Sequence, residues 1–279
     1  MSRSAPTPRS AAVLRGARAA RDPASGPAAA VLRGAATALA AGRLPLPGAP
    51  GRWERTNHRG RTVSLRSGPA LTLAAVAGAA LPQPATAVVG LAGGLLGAYD
   101  DVAGATAPQR GAKGLRGHVG ALRQGRVTAG AVKLVGLSAA GVAGVALLPR
   151  RPALDVLLGA GVVAGSANLV NLLDLRPGRA LKVGLAAALA LRQPGVAAAV
   201  AVLLPDDLHE RTMLGDAGAN ALGAVLGLAL AERLPTRTAT AGALGVLAAL
   251  TAASEVVSYS KVIDAVAPLR ALDRLGRLP

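Results

Sequence analysis

The sequence predicts an all-α fold, a polytopic bundle of about eight to ten transmembrane helices with its site at the cytoplasmic face. Hydrophobic residues make up 52% of the 279 residues and occur in blocks, with arginines between the blocks, which is the usual layout of a multi-pass membrane protein. The formal net charge is +17, but only three residues are aromatic, so stacking on nucleic-acid bases is hardly available. We therefore expect a membrane, and no nucleic acid, as the partner of this basic chain.

Residues 1–50 are predicted to form a basic, alanine-rich N-terminal segment, and residues 51–279 a transmembrane domain. The first 27 residues contain no apolar stretch typical of a signal peptide, so none is predicted. Residues 28–41 are predicted to be helical, but Arg33 interrupts them, and it stays open whether this degenerate first helix crosses the membrane or lies on it. Eight spans follow, at residues 69–81, 85–99, 128–148, 153–173, 180–191, 195–204, 216–231 and 238–258.

The distribution of basic residues predicts the orientation of these spans. The connections on one side carry 19 Lys and Arg residues, and those on the other side carry five. Because positively charged connections stay in the cytoplasm, the first set is assigned to the cytoplasmic face. The abundance of residues with GC-rich codons, and the absence of Phe, indicate a high-GC bacterial genome. Together with the predicted spans, this gives the bacterial plasma membrane as the expected location. The cytoplasmic segments are residues 42–68, 100–127, 174–182, 205–216 and 259–279.

Acidic and amide side chains cluster at the predicted cytoplasmic ends of three spans. They are Asp100 and Asp101, then Asn168, Asn171 and Asp174, and finally Asp216. Such oxygens are hard ligands suited to Mg²⁺ and substrate phosphates, and a divalent cation would relieve the repulsion between Asp100 and Asp101. Each cluster also has a simpler interpretation as a helix end, a turn or an N-cap. Their common side favours a shared site.

These clusters resemble the motifs of the polyprenyl-phosphate N-acetylhexosamine-1-phosphate transferase family, which includes the translocase that makes the first lipid-linked peptidoglycan precursor. The family carries, in order, an Asp-Asp pair closing a span, a Lys-Gly-Leu loop, an Asn-x-x-Asn-Leu-x-Asp-Gly-x-Asp-Gly stretch and a Met-Gly-Asp-x-Gly-Ser motif. The corresponding residues here are 100–101, 113–115, 168–174 and 214–218. The resemblance covers roughly residues 55–270.

The resemblance implies Mg²⁺-dependent transfer of a phospho-sugar from a UDP-sugar to a polyprenyl phosphate in cell-envelope glycan biosynthesis. Carried over by position, Asp100 and Asp101 are catalytic, and Asp216 and Asp101 bind the metal. The positions implied to contact substrate are Lys113, Asn168, Asn171, Asp174 and Arg270. The donor sugar, the lipid length and the formation of a homodimer stay open.

The chain departs from the family pattern at one of these motifs and at a further motif of the translocase. Pro177 occupies the position of the second Asp in the stretch around Asp174, and residues 269–271 (Leu-Arg-Ala) follow an Ala-Pro dipeptide where the translocase carries histidines. Arg270 is interpreted either as a substitute phosphate clamp or as a cytoplasmic anchor. The alternative to an enzyme is a catalytically degenerate relative that acts as a membrane scaffold or partner-binding protein in envelope assembly. A transporter is disfavoured, because its charged site would lie near the bilayer midplane.

Three further charged residues lie outside these motifs. Lys133 falls inside a predicted span, where an ionisable group is costly and is expected to have a partner or a function. Asp206 and Asp207 are interpreted as solvated loop residues.

Overall fold

The structure is a computed structural model that describes residues 26–80, 83–103, 128–149 and 151–279. Over these residues it contains eleven α-helices, one 3₁₀ helix (Pro50–Trp53) and one antiparallel two-stranded hairpin, which confirms the predicted all-α class. The helices are α1 (Pro27–Ala41), α2 (Ser67–Gly78), α3 (Gln83–Ala103), α4 (Ala129–Ala146), α5 (Ala153–Leu173), α6 (Arg179–Ala190), α7 (Pro194–Leu208), α8 (Gly215–Arg233), α9 (Arg237–Ser254), α10 (Tyr259–Ala265) and α11 (Ala267–Arg274), and the strands are β1 (Glu54–Thr56) and β2 (Thr62–Ser64).

The eight predicted spans coincide, in order, with helices α2 to α9. By length and apolar composition, one described helix, α5, could cross a membrane, and a second could if α9 and α10 form one span broken by a 93° bend. Helices α2 and α6 have 12 residues each, which corresponds to about 18 Å against a hydrocarbon core of about 30 Å. The structure therefore confirms a helix at each of the eight predicted positions. The number of helices that cross a membrane stays a prediction.

Helix α8 forms the centre of the bundle and packs against α2, α3 and α5. Fifteen of its nineteen residues are buried. Most of them are Ala or Gly, and such small side chains let neighbouring backbones approach closely. The N-terminus of α8 is thereby held against the C-terminal end of α3, where Asp100 and Asp101 lie.

The close approach of α3 and α8 depends on glycine at position 97. A Cβ atom at Gly97 would collide with the backbone of Asp216 and Ala217, and one at Gly93 would lie 3.0 Å from the carbonyl oxygen of Asn220. These two glycines are four residues apart and so share one face of α3. A side chain there would push α3 away from the start of α8.

We expect Gly97→Ala to lower the free energy of unfolding by about 1–3 kcal/mol, the usual cost of overpacking a close-packed core. The change also brings the helix-propensity gain of Ala over Gly, about 0.5–1 kcal/mol, which partly offsets that loss. The matched control is Gly242→Ala on α9, because a Cβ atom there meets no heavy atom within 4 Å of its position among the described residues. Thermal unfolding in detergent should show a lower midpoint for Gly97→Ala only, and equal midpoints would show that α3 and α8 can separate freely.

The N-terminal helix α1 packs against α2 and α7. Gly34 of α1 lies directly against the backbone of Gly195 at the start of α7. Arg33, which interrupts the apolar run, donates from Nε to the carbonyl oxygen of Ala77 at 3.0 Å. Residues 27–41 are thus part of the helical bundle, whereas a domain boundary near residue 50 stays a prediction.

The C-terminal helices α10 and α11 are held against the start of α6 by a buried ion pair. Arg179 donates from Nε and Nη2 to the two carboxylate oxygens of Asp273, at 2.8 and 3.0 Å, and from Nη1 to the hydroxyl of Ser260 at 2.9 Å. Arg277 donates to the same carboxylate and to the carbonyl oxygen of Pro177. The C-terminal residues therefore lie beside the loop that follows α5.

Candidate functional site

Four of the predicted site residues line one cavity of about 540 Å³, which we call the acidic cavity. Their segments are far apart in the sequence: the end of α3, the end of α5 and the start of α8. The end of α7 and the β1–β2 hairpin supply the remaining wall. The predicted residues in its lining are Asp101, Asn171, Asp174 and Asp216.

Asp101 caps the N-terminus of α8. Its Oδ1 accepts a hydrogen bond from the amide of Asp216 at 3.1 Å, and its Oδ2 accepts one from the amide of Ala217 at 3.0 Å. Its residue surface is only 5% exposed. A carboxylate at this position satisfies two otherwise unpaired amides and interacts favourably with the helix dipole. Asp101 therefore positions α8, a role that the sequence did not indicate.

Lys133 of α4 joins Asp100 to Asp216. Its ammonium group donates to Asp100 Oδ2 at 2.7 Å and also to Asp216 Oδ2. All three side chains are largely buried. Asp100 thus contacts a lysine of the chain itself, while the divalent cation expected beside Asp100 and Asp101 stays a prediction. The partner expected for Lys133 is found in the same contact.

Asp174 and Asp207 form a second acidic pair in the wall of the acidic cavity. They are 9% and 2% exposed, respectively, and each has a buried Oδ2 atom with no hydrogen-bond partner among the described residues. Burial raises the pKa of Asp174, just beyond α5, well above its usual value, and the charge of Asp207 raises it further. Burial also raises the pKa of Asp207 to about 6, although a hydrogen bond from Gly178 opposes the rise.

The β1–β2 hairpin forms the wall that faces these aspartates. Arg55 on β1 donates from Nη2 to the backbone carbonyl oxygen of Asp101. Asn57 donates from Nδ2 to Glu210 Oε2 at 2.8 Å, and the buried Glu210 also pairs with Arg59 at 3.3 Å. A second cavity of about 640 Å³ lies beyond the hairpin turn and has four arginines in its lining: Arg59, Arg176, Arg274 and Arg277. An acidic cavity and a basic cavity thus lie on either side of Glu210, which lines both.

Three residues predicted to contact substrate are not found in the lining of the acidic cavity. Two of them, Asn168 and Arg270, make other contacts, and the third lies outside the described residues. Asn168 donates from Nδ2 to the hydroxyl of Thr251 on α9 at 3.0 Å. Arg270 donates from Nη1 to the carbonyl oxygen of Asp264 at 2.8 Å, which ties α11 to the end of α10. Lys113 lies outside the described residues. Their proposed contacts with substrate stay predictions.

The interpretation of Asp207 as a solvated loop residue was wrong, because it is buried and lies in α7. Asp206 is exposed as expected, but it too lies in α7 and not in a loop. Asp206 pairs with Arg211 at 2.8 Å. Asp207 lies in the last turn of α7, and its Oδ1 accepts a hydrogen bond from the amide of Gly178. The signal available in the sequence was the density of acidic residues at 206, 207 and 210 in a chain that has only 14.

The donor chemistry of the acidic cavity suits a hard divalent cation, because carboxylate oxygens are the ligands Mg²⁺ prefers. The unpartnered oxygens of Asp174 and Asp207 are the observation that supports this fit. No group of three or more His, Cys, Asp or Glu residues within the described ranges is arranged as a ready-made metal cage. Any cation here would therefore complete its shell with water or substrate oxygens.

The chain matches no known family model, no curated protein and no solved structure. Any proposal of function consequently depends on the cavity and on the sequence motifs.

Proposed function

We propose that this protein is a membrane transferase that moves a phospho-sugar from a UDP-sugar to a polyprenyl phosphate at the cytoplasmic face. The observation that carries the proposal is the convergence of Asp101, Asn171, Asp174 and Asp216 on one cavity from three distant segments. These are the positions at which the sequence resembles the transferase family. If each of these residues served only to cap or end its own helix, nothing would require all four to line the same cavity.

The outer surface of the bundle supports a membrane location. Several outer helices expose large apolar side chains that have no cover among the described residues. Examples that are each at least 60% exposed are Leu95, Val135, Leu157, Leu189 and Val246. In a membrane, lipid chains would cover these side chains, which lie on five different helices. A multi-pass protein of the bacterial plasma membrane accounts for this surface.

In the proposed reaction an oxygen of the polyprenyl phosphate forms a bond to the sugar-bearing phosphorus, and the bond from that phosphorus to UMP breaks. Phosphoryl transfer needs positioning and charge neutralisation more than covalent help from the protein. When bound, Mg²⁺ would neutralise phosphate oxygens, with Asp216 and Asp101 as its sequence-predicted ligands. The ammonium group of Lys133, between Asp100 and Asp216, supplies a fixed positive charge at the same place. Asn171 and Asp174 would contact the donor.

The second candidate is a degenerate relative that acts as a membrane scaffold or partner-binding protein. The observation in its favour is the contact of Lys133 with both Asp100 and Asp216, because an internal ammonium can replace the charge of a metal without catalysis. Pro177 in place of the motif's second Asp points the same way.

The deciding experiment uses the purified full-length chain in lipid nanodiscs, with polyprenyl phosphate, Mg²⁺ and a panel of UDP-N-acetylhexosamines. We expect UMP release that requires the lipid phosphate, Mg²⁺ and one of the donors. A chain that unfolds cooperatively, and is therefore folded, yet releases no UMP with any donor would favour the scaffold and contradict the transferase.

A further inference from the structure

We propose that Asp174 and Asp207 together form a divalent-cation site, which is distinct in its ligands from the position predicted at Asp216 and Asp101. Its role in turnover rests on the proposed function, whereas cation binding can be measured without turnover. Neither the sequence motifs nor the family resemblance includes Asp207 as a ligand.

The two carboxylates lie at the C-terminal ends of two different helices. Asp174 is the residue immediately after α5, and Asp207 lies in the last turn of α7. Both residues line the acidic cavity and both are at least nine-tenths buried. Each has one oxygen that accepts no hydrogen bond from any described group. Burying such an atom is costly unless a ligand or a proton compensates it.

The other oxygen of Asp207 is held in place by the backbone. Its Oδ1 accepts from the amide of Gly178, and the amide of Leu214 lies within hydrogen-bonding reach of the same carboxylate. Gly178 has a φ of 70°, a left-handed conformation that suits glycine. The amide of Gly215 lies within hydrogen-bonding reach of Asp174. The pair is therefore positioned before any ligand arrives.

The two basic groups whose charges act on Asp207, those of Arg277 and Lys182, already donate hydrogen bonds to other acceptors. Lys182 donates to the carbonyl oxygens of Leu272 and Asp273, at 3.0 and 2.8 Å. Arg277 donates to the carboxylate of Asp273 and to the carbonyl oxygen of Pro177. No ammonium or guanidinium group of a described residue donates to Asp174 or Asp207.

Comparison with Asp100 and Asp216 indicates that the partner of Asp174 and Asp207 is a cation. That pair shares the ammonium group of Lys133, whereas neither Asp174 nor Asp207 makes an ion pair with a described lysine or arginine. Two carboxylates with remaining positions open to water or phosphate oxygens match the way Mg²⁺ is usually held. The competing explanation is that the two carboxyl groups share one proton, as close acidic pairs can.

The test is a titration of the full-length protein in nanodiscs of zwitterionic lipid with Mn²⁺, followed by electron paramagnetic resonance, with Mg²⁺ as the competitor. We expect one Mn²⁺ to bind and to be displaced by Mg²⁺. Asp207→Asn and Asp174→Asn should each weaken binding by about 10-fold or more, since each loses a charged ligand. The matched control is Asp206→Asn, one residue away and exposed with its own arginine partner, which should bind Mn²⁺ as the wild type does.

A second measurement covers the case in which a variant folds poorly. Because Asn keeps an acceptor for the amide of Gly178 and removes an uncompensated charge, Asp207→Asn should be at least as stable as the wild type without metal. It should also lose the rise in unfolding midpoint that Mg²⁺ gives the wild type.

The outcomes separate this inference from the proposed function. Absence of Mn²⁺ binding from the wild type overturns the cation site and supports a shared proton. Wild-type Mn²⁺ binding in Asp207→Asn overturns it as well, because the cation then lies at other ligands. Loss of binding in Asp216→Asn together with wild-type binding in Asp207→Asn also overturns it, since the cation would then lie at Asp216. Binding at Asp174 and Asp207 without UMP release from any donor would leave the site intact and contradict the transferase.

Discussion

Replacing Asp101 by alanine is expected to lower the free energy of unfolding by about 2–4 kcal/mol, because two amides at the start of α8 would lose their acceptors. The carboxylate is buried and accepts from both Asp216 and Ala217. α8 is the central helix of the bundle, and 15 of its 19 residues are buried. A change at its N-terminus therefore cannot be relieved by moving the helix into solvent. Unfolding in detergent, followed by circular dichroism, measures the loss.

Two comparisons make this prediction specific. Asp101→Asn keeps one oxygen acceptor and should cost about half as much as the alanine change. Asp155→Ala removes an acidic residue from the first turn of another helix, α5, where it is partly exposed and pairs with Arg237 at 2.6 Å. It should cost less than about 1 kcal/mol, as exposed ion pairs usually do. An Asp101→Ala protein as stable as Asp155→Ala would show that water replaces the cap and that α8 does not depend on Asp101.

The positions of the helices were predictable because the apolar blocks are separated by charged or proline-containing segments. All eight predicted spans contain one helix each, and the ends differ by only a few residues. The charge distribution also placed Asp101, Asp174 and Asp216 on one side, and they line one cavity. These features depend on local composition and on the number of helices between segments, both of which can be counted along the chain.

The partners of individual side chains could not be predicted, because they depend on the packing of distant helices. Lys133 is separated from Asp100 by 33 residues and from Asp216 by 83. Nothing local to Asp101 indicates that it caps a helix that begins more than 100 residues later. Asp206 and Asp207 are adjacent and identical in type, yet one is exposed and the other is buried. Only the direction of each side chain on α7 distinguishes them.

Asp216→Asn is expected to reduce UMP release by about 100-fold or more, within the range found when one preorganised electrostatic group is removed from an active site. The carboxylate of Asp216 lines the acidic cavity and shares the ammonium group of Lys133 with Asp100. The amide variant has no charge to hold a cation or to balance this lysine. Asn can still accept a hydrogen bond and is well tolerated near a helix N-terminus, so stability should change by less than about 1 kcal/mol.

The control for Asp216→Asn is Asp155→Asn, the same chemical change in the first turn of α5, where the carboxylate pairs with Arg237 away from the acidic cavity. It should release UMP at the wild-type rate. A wild-type rate in Asp216→Asn would contradict any role for this carboxylate in the reaction. If UMP release is lost while Mn²⁺ still binds, the carboxylate acts by holding Lys133 rather than the cation. If UMP release and Mn²⁺ binding are both lost, Asp216 is the metal ligand that the sequence motif implies. Mn²⁺ binding is measured without substrate and therefore depends only on the ligands of the cation.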